Sequence, residues 1–449
     1  MNRALACLLM VAGVWRLMAA AEPILDPNDM TYLRELTAAV MDASRVGTGA
    51  KVGNIGPNVT GGTVIRPGGR DCYPAFWIRD YAMSLDCGMV TPEEQRHMLL
   101  LTARHQQDER WDLPSGSCVP PGSIADHISF SDKPIFYPGT LEDFEGQGGE
   151  RWGLLPALDD HYFFVLMAAY YVETTGDTAI LSQEVRGKRL IQRLEEAYAM
   201  PPSRPDTGLV YAELQNRGVT FGFVDTVTHT GGLLFCSVLK YQAARQLANL
   251  LAKTGDGATA EKYEARARVL KQAIDAAFPA VDGLLRASTG LSAQPDVWGT
   301  AYAVYVGALS PEKERAACEA LARAYESRTI AWRGNIRHVR TADDFSETTV
   351  WEKALPAKNT YQNGAYWGTP VGWVAYAIAK VDPTIAARLA GDYVAELREG
   401  DFRKGPGFGS PWECMHPDGN HRQNPVYLTS VSCPLAGFMR IEAGIAPRQ

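Results

Sequence analysis

The sequence has little of what common metal sites and nucleic-acid-binding surfaces require. Its 8 cysteines include no pair separated by two residues, and no HExxH segment occurs, which argues against a structural zinc site or a zinc protease. Acidic residues outnumber basic ones, giving a formal net charge of -7, so bulk charge does not favour binding to nucleic acid. We therefore expect no metal and no other cofactor, with a loop-bound Ca²⁺ left open.

A long apolar stretch occurs once, at the start of the chain. Residues 1–21 contain Arg3, an apolar stretch from Ala4 to Trp15 and three alanines just before Glu22. This is the layout of a secretory signal, and the stretch is shorter than the roughly 20 apolar residues of a spanning helix. We expect a signal peptide at 1–21, a secreted or periplasmic protein, and no membrane insertion after cleavage. A retained anchor is the alternative.

Export would place the remaining cysteines in a compartment that permits disulfides. Loss of Cys7 with the signal leaves an odd number, so at most three bridges can form. By position, Cys414 can pair with Cys433, and two can pair among Cys72, Cys87 and Cys118.

Linkers are also lacking: no Pro/Ser-rich or charged segment divides residues 22–449, which predicts a single domain. Apolar residues recur three and four positions apart, as in helices. The pattern predicts twelve helices, at roughly 28–45, 78–90, 91–109, 158–176, 178–200, 226–254, 256–278, 296–309, 310–326, 361–380, 382–398 and 425–443. Short breaks join these helices in pairs, and long irregular stretches separate the pairs.

Six helical hairpins in this spacing predict an all-α fold, an (α/α)6 barrel, with an open helical solenoid as the alternative. Because short and long connections alternate, the even-numbered helices should all point one way. The long loops should then gather at the N-terminal ends of these helices, where we expect any chemistry.

Six unusual clusters lie at those positions, and each combines a carboxylate or amide with an aromatic residue. They are FWIRDYAMSLDCG (76–88), LPALDDHYFF (155–164), FGFVDTVTHTGG (221–232), QPDVWGTAYA (294–303), TYQNGAYWGTP (360–370) and PWECMHPDGNHRQNPVY (411–427). Aspartate is also a common helix N-cap, which is the structural alternative for Asp159, Asp225 and Asp296. Together the clusters predict a polar cup with aromatic walls, as suits a sugar.

Hydrolysis of a glycosidic bond needs one protonated and one ionised carboxyl group. Asp225 follows Phe223 and Val224, apolar neighbours that would raise its pKa and suit it as the general acid. Glu413 suits the general base. Local sequence leaves rivals open, namely Glu347, Glu352, Asp159 and Asp160.

These segments resemble the six-hairpin glycosidases, a superfamily that includes glucoamylases, trehalases and the glucosidase domain of glycogen-debranching enzyme. FGFVDTVTHTGGLLF is similar to the segment that carries their aspartate acid, and PWECMHPDGNHRQNPVYLTSVSCPLAG to the one that carries their glutamate base. The resemblance implies Asp225 as acid and Glu413 as base. It also implies that Asp80 of FWIRDYAM holds sugar hydroxyls, and that reaction inverts the anomeric carbon.

We therefore expect an exported glycoside hydrolase that cleaves an oligo- or polysaccharide, acting from a chain end and with inversion. Its expected substrate-binding residues are Trp77, Arg79, Asp80, Asp159, Asp160, His229, Asp296, Trp298, Tyr361, Gln362, Asn363, Trp367 and Trp412. Arg79 also fits a structural partner of Asp80. The open alternatives are a polysaccharide lyase or sugar epimerase that uses His or Tyr, and a sugar-binding protein without catalysis.

Overall fold

The computed structural model describes residues 23–70, 72–113, 116–136, 154–213, 221–343 and 351–444. The predicted signal peptide and Glu347 lie outside these residues. Within them there are twelve helices: α1 (Pro27–Ser44), α2 (Ile78–Ser84), α3 (Pro92–Arg104), α4 (Asp160–Thr175), α5 (Leu190–Ala199), α6 (Leu234–Lys253), α7 (Gly257–Ala277), α8 (Val297–Tyr305), α9 (Pro311–Glu326), α10 (Val371–Ala379), α11 (Pro383–Gly400) and α12 (Thr429–Glu442). None of these described helices is both long enough and apolar enough to cross a bilayer.

The even-numbered helices form a closed inner ring. Each packs on the next, from α2 through α4, α6, α8 and α10 to α12, and α12 packs back on α2. The odd-numbered helices lie outside and pack on this ring. The prediction of an (α/α)6 barrel is confirmed.

The amino-acid pattern explains which helices are inside. VWGTAYAVY in α8 and VGWVAYAIA in α10 are apolar on all sides, and every residue of α8 is buried. A helix without a polar face is stable only where it is surrounded. By contrast, PEKERAACEALARAYE in α9 has one apolar stripe, which it buries while its charged face stays in solvent.

Most inner and outer helices also differ in how their N-termini are capped. Four outer helices begin with a side chain that accepts from the first turn: Asp26, Thr91, Asp256 and Asp382. Five inner helices have no such side-chain cap: α2, α4, α6, α10 and α12. Their first N–H groups and positive dipole ends are therefore directed at the long loops.

Sixteen short strands occur in the described loops: β1 (Arg45–Val46), β2 (Val64–Ile65), β3 (Ala75–Trp77), β4 (Trp111–Asp112), β5 (Cys118–Val119), β6 (His127–Ser129), β7 (Pro134–Ile135), β8 (Glu184–Val185), β9 (Lys188–Arg189), β10 (Tyr211–Ala212), β11 (Gly231–Gly232), β12 (Ala331–Trp332), β13 (Asn335–Arg337), β14 (Tyr366–Trp367), β15 (Trp412–His416) and β16 (His421–Pro425). Two antiparallel sheets hold the site: β12-β13-β14-β15-β16, and β3-β6-β7, which sets Trp77 opposite His127.

Three predicted helix starts were wrong by eight or more residues, each because a strand or tight turn replaces helix. The helix predicted from 226 begins at Leu234, since Gly231–Gly232 pairs with β10. The helix predicted from 361 begins at Val371, after β14. The helix predicted from 178 begins at Leu190, after a short 3-10 turn and the β8-β9 hairpin, whose Arg186 and Gly187 both have positive φ.

The Cys414–Cys433 pairing that the sequence left possible is not formed, because both residues are free thiols. Cys414 lies on β15 with its sulfur 3.7 Å from His421 Nε2, whereas the Cys433 thiol donates to the Met83 carbonyl oxygen. Cys87 and Cys118 are free thiols too.

The contact between α10 and α12 gives a test of the ring. A Cβ at Gly437 would lie 2.5 Å from the Gly372 Cα, whereas a Cβ at Gly391 of α11 would meet nothing within 4 Å. We expect Gly437→Ala to lower the free energy of unfolding by about 1–3 kcal/mol through overpacking. Gly391→Ala should be neutral or stabilise by up to about 1 kcal/mol. Urea unfolding measures both, and equal effects would contradict the close helix contact.

Candidate active site

Arg79 forms the centre of a buried ion-pair cluster at the N-terminal ends of α2 and α4. Its Nη1 lies 2.6 Å from Asp126 Oδ1, its Nε 3.0 Å from Asp159 Oδ2, and its Nη2 2.7 Å from Asp160 Oδ2. All four side chains are buried. Since its three nitrogens each contact a carboxylate, Arg79 joins the loop before β6 to α2 and α4.

One cation does not balance three buried acids. Burial opposes ionisation of Asp126, but Arg79 and His127 outweigh it and hold the pKa of Asp126 below its usual value. Burial raises the pKa of Asp160 well above its usual value, and Asp159 and Asp126 add to the effect. The excess of buried acid in the cluster therefore disfavours ionisation of Asp160 in particular.

The cluster also holds the turn that carries Asp225. Asp159 Oδ2 accepts from the Gly222 backbone N at 2.9 Å, and Gly222–Val224 form a 3-10 turn that ends at Asp225. A Cβ at Gly222 would collide with the Arg79 guanidinium. Glycine is thus required here by the close approach of Arg79.

Gln362 fixes Asp225 from the other side. Its Nε2 donates to Asp225 Oδ1 at 2.6 Å, and its Oε1 accepts from Thr226 N and Oγ1, each at 2.7 Å. Asp225 is only partly buried by its neighbours, yet it lies deep enough that burial raises its pKa to about 7, against the charge of Arg79 and the Gln362 bond.

Glu413 projects from β15, between β14 and β16. The Tyr73 hydroxyl lies 3.0 and 3.2 Å from its two oxygens, Asn424 Nδ2 donates to Oε2 at 2.5 Å, and the Tyr361 hydroxyl lies 3.4 Å from Oε1. Burial raises the pKa of Glu413 to about 8, although the Asn424 and Tyr73 hydrogen bonds lower it. Three donors therefore surround one buried carboxylate.

All three donor residues have left-handed backbone conformations. The φ angles are 47° at Tyr73, 43° at Tyr361 and 48° at Asn424. Such angles are uncommon outside glycine and cost on the order of 1 kcal/mol each. Strained residues cluster where the fold must hold a functional group in one geometry, here Glu413.

Asp80 lies beneath an aromatic wall. Its Oδ1 accepts from the Tyr427 hydroxyl at 2.6 Å, and burial raises its pKa to about 6. Trp77 stacks on His127 at 4.1 Å and meets the Tyr73 ring edge-on at 5.0 Å. His127 in turn bonds Asp126, so the Arg79 cluster also orients this wall.

The structure thus brings together six residues expected from the sequence: Trp77, Asp80, Asp225, Tyr361, Gln362 and Glu413. Tyr361 and Gln362 are consecutive and contact Glu413 and Asp225 respectively, so one peptide links the two acids. Both acids lie in the loops at the N-terminal end of the inner ring.

Other expected residues lie elsewhere. Trp298 and Trp367 are fully buried, 5.8 Å apart, against Phe223 in the aromatic core below the acids. Asp296 accepts a hydrogen bond from Gly299 N at 2.9 Å and so caps α8. It therefore has the N-cap role that was the structural alternative to sugar binding. Trp412 is half-buried at the start of β15.

Three further predicted residues hold loops together. Asn363 donates to the Pro356 carbonyl. His229 stacks on Trp351 at 5.0 Å. The rival carboxylate Glu352 accepts from Thr230 N and Oγ1 at 2.9 and 2.8 Å, which ties two loops to each other.

The sequence did not point to Tyr73, Asn424, Tyr427 or Asp126. Asn424 precedes a proline in the last cluster, and this Asn-Pro pair favours a turn. No periodic signal marks Tyr73, which reaches Glu413 only through tertiary packing. In the residues that the structure describes, no group of three or more His, Cys, Asp or Glu side chains could hold a metal ion.

Gly222 provides a test of how the cluster positions Asp225. Because the added methyl would displace Arg79, Gly222→Ala should destabilise the protein by about 1–3 kcal/mol and lower turnover. Asp159→Asn keeps the volume but weakens the ion pair, so it should lower turnover more than it alters KM. Gly407→Ala, where a Cβ meets nothing within 4 Å, is the control. Unchanged turnover in both site variants would exclude a positioning role.

Comparison with known proteins agrees with this fold. No family model and no curated protein sequence matches the chain. Among solved structures, a wild-type glycosidase has a TM-score of 0.54 at 14% identity, covering 93% of this chain and 99% of that one. A GH63 mannosylglycerate hydrolase from Thermus thermophilus, in complex with glucose, has a TM-score of 0.54 at 15% identity, covering 90% and 99%. The chain therefore has the fold of these solved glycosidases, an (α/α)6 barrel.

Proposed function

We propose that this protein is an exported glycoside hydrolase that cleaves an oligo- or polysaccharide from a chain end, with inversion at the anomeric carbon. The observation that carries the proposal is the pair of acids with raised pKa, Asp225 and Glu413, joined by Tyr361-Gln362 beside an aromatic wall. The fold shared with proteins named as glycosidases supports it.

In this mechanism Asp225 gives its proton to the glycosidic oxygen as the bond to the anomeric carbon breaks. Glu413 takes a proton from water, and the water oxygen bonds to that carbon from the opposite face. Solvent exchange then returns a proton to Asp225 and removes one from Glu413.

The contacts favour this division of roles. Three donors around Glu413 stabilise its ionised form relative to a carboxyl in the same buried position without them. Asp225 receives a hydrogen bond from Gln362 on Oδ1, which leaves Oδ2 to carry the proton. The pKa values are about 7 for Asp225 and about 8 for Glu413, so between them the pair holds one proton, mostly on Glu413. The reactive form, with the proton on Asp225, is the minor one-proton form, and its population also peaks in this range. We expect a bell-shaped profile of turnover with its maximum near pH 7 to 8.

A lyase or epimerase would need a histidine or tyrosine as base. Burial raises the pKa of Tyr73 and Tyr361 well above the usual value, which keeps both phenols protonated. His161 and His421 accept backbone hydrogen bonds from Ile124 and Tyr361. These contacts disfavour these four residues as the base.

A secreted or periplasmic location remains part of the proposal. It rests on the composition of residues 1–21, and the mature N-terminus of the exported protein, read by mass spectrometry, tests it. An N-terminus near Glu22 supports export, and retention of Met1 contradicts it.

Substitution of the two acids tests their roles. Asp225→Asn and Glu413→Gln should each lower turnover by at least 10²-fold, since each removes one proton transfer, while sugar binding and the melting temperature are retained. Glu319→Gln, on the outer face of α9, is the matched control. Turnover within threefold of wild type in both site variants would move the chemistry to other residues.

The raised pKa of Asp225 also predicts how stability depends on pH. The unfolded chain releases this proton near pH 4, whereas the folded chain keeps it to about pH 7. The folded state therefore loses stability as the pH rises from about 4 to about 7. Asp225→Asn removes this loss, so its stability relative to wild type should increase between pH 5 and pH 8, on the order of 2 kcal/mol. A constant difference across this range would contradict the raised pKa.

A further inference from the structure

A small cavity lies beside the turn that carries Asp225. Phe221 and Val224 of that turn line one side, and residues that begin α6 and α8 line another. The polar residues on its surface are His229, Asp296, Trp298 and His338. The name histidine pocket is used below for the space between His229, Trp298 and His338.

Three residues that line the histidine pocket each have a buried polar atom without a hydrogen-bond partner: His229 Nε2, His338 Nε2 and Trp298 Nε1. These residues are 7%, 4% and 1% exposed. A buried polar atom without a partner costs about 1–3 kcal/mol, and proteins rarely leave several together. Their concentration on one cavity points to a ligand that supplies the missing bonds.

The hydrogen-bonding character of these atoms identifies the kind of group. Burial lowers the pKa of His229 to about 4 and that of His338 to about 3, so both rings are neutral. His338 hydrogen-bonds the Phe223 backbone through its other nitrogen, which leaves Nε2 as an acceptor. Trp298 Nε1 is only a donor. A hydroxyl group both donates and accepts, so one hydroxyl can bond His338 Nε2 and Trp298 Nε1 together.

The charge of the lining residues and the volume of the cavity limit which ligand groups can bind. No Lys or Arg is among the described residues that line the cavity, and Asp296 lies on its wall, so a carboxylate or phosphate would be disfavoured. The cavity has a volume of about 20 Å³, enough for about one water-sized group. Aromatic and aliphatic walls such as Trp351 and Val224 suit a CH₂ group.

The position ties the pocket to the acids. Val224 lines the pocket and Asp225 follows it directly in the chain, so the pocket lies against the same turn that carries the proposed acid. A separate small molecule would not need this proximity.

We propose that the histidine pocket is a specificity subsite that receives one hydroxyl group of the sugar, which donates to His338 Nε2 and accepts from Trp298 Nε1, with His229 as the second histidine of the lining. The proposal rests on the proposed function in one respect, that the ligand beside Asp225 is a sugar.

Binding of free sugars to the full-length mature protein tests the subsite. The parent sugar is whichever of D-glucose, D-mannose and D-galactose binds tightest by calorimetry, and it is compared with its 2-, 3-, 4- and 6-deoxy forms. A site built to bond a hydroxyl rejects the analogue that lacks it, so one deoxy sugar should bind at least 10-fold more weakly than the parent.

The variants His338→Phe and His229→Phe keep an aromatic ring but remove the acceptor. The ratio to measure is the dissociation constant of that deoxy sugar divided by that of the parent sugar. In at least one variant, with the melting temperature retained, this ratio should fall to within about twofold of 1. His105→Phe, on the other side of the barrel wall at the end of α3, is the control and should keep the wild-type ratio.

Unchanged ratios in both variants would assign the unpartnered atoms to trapped water and overturn the subsite. So would failure of all three hexoses to bind. Because the experiment measures binding, it separates the two proposals. If the protein discriminates between parent and deoxy sugar but hydrolyses no glycoside, only the proposed function is contradicted. If it hydrolyses a glycoside but the ratios are unchanged in the variants, only the subsite is contradicted.

Discussion

The buried ion pairs of Arg79 are the interaction on which the site depends. This one guanidinium joins the start of α2, the start of α4 and the loop before β6, and through Asp159 it holds the backbone of Gly222. Removing Arg79 would leave buried carboxylates without their cation, and an unpaired buried charge of this kind costs about 3–5 kcal/mol. The cluster therefore fixes both the aromatic wall, through His127, and the turn that carries Asp225.

Around this cluster the fold buries several acidic side chains, and burial disfavours their ionised forms. Asp80, Asp160, Asp225 and Glu413 all have raised pKa values because they are buried. The uncapped N-terminal ends of the inner helices partly offset this cost, since their dipoles favour anions. Glu413 receives further support from three residues with strained backbones. The buried acids and strained residues of the site lower the stability of the fold. Packing of the inner helices offsets this cost, since α8 and α10 are almost wholly buried.

Much of the fold could be predicted from the sequence, because helices of seven to 21 residues leave clear periodic patterns of apolar residues. The six clusters were correctly placed before the inner helices. The starts of α6 and α10 were missed because strands of two residues carry no alternation to read. The contacts of Glu413 were beyond prediction for a related reason: Tyr73, Tyr361 and Asn424 reach it from three loops through left-handed backbone. Trp298 was expected in the wall of the cup, but α8 is apolar on every side, so its ring is buried inside the barrel, where it lines the histidine pocket.

The measurement that tests the central claim most directly is ¹H NMR of the first minutes of reaction, with a panel of α- and β-linked oligosaccharides, beside Asp225→Asn. If Asp225 and Glu413 act on opposite faces of the sugar, the free sugar appears first as the inverted anomer with the wild type and is not released by the variant. Release of the retained anomer would contradict the water-activating role of Glu413. An unsaturated sugar product would contradict hydrolysis itself.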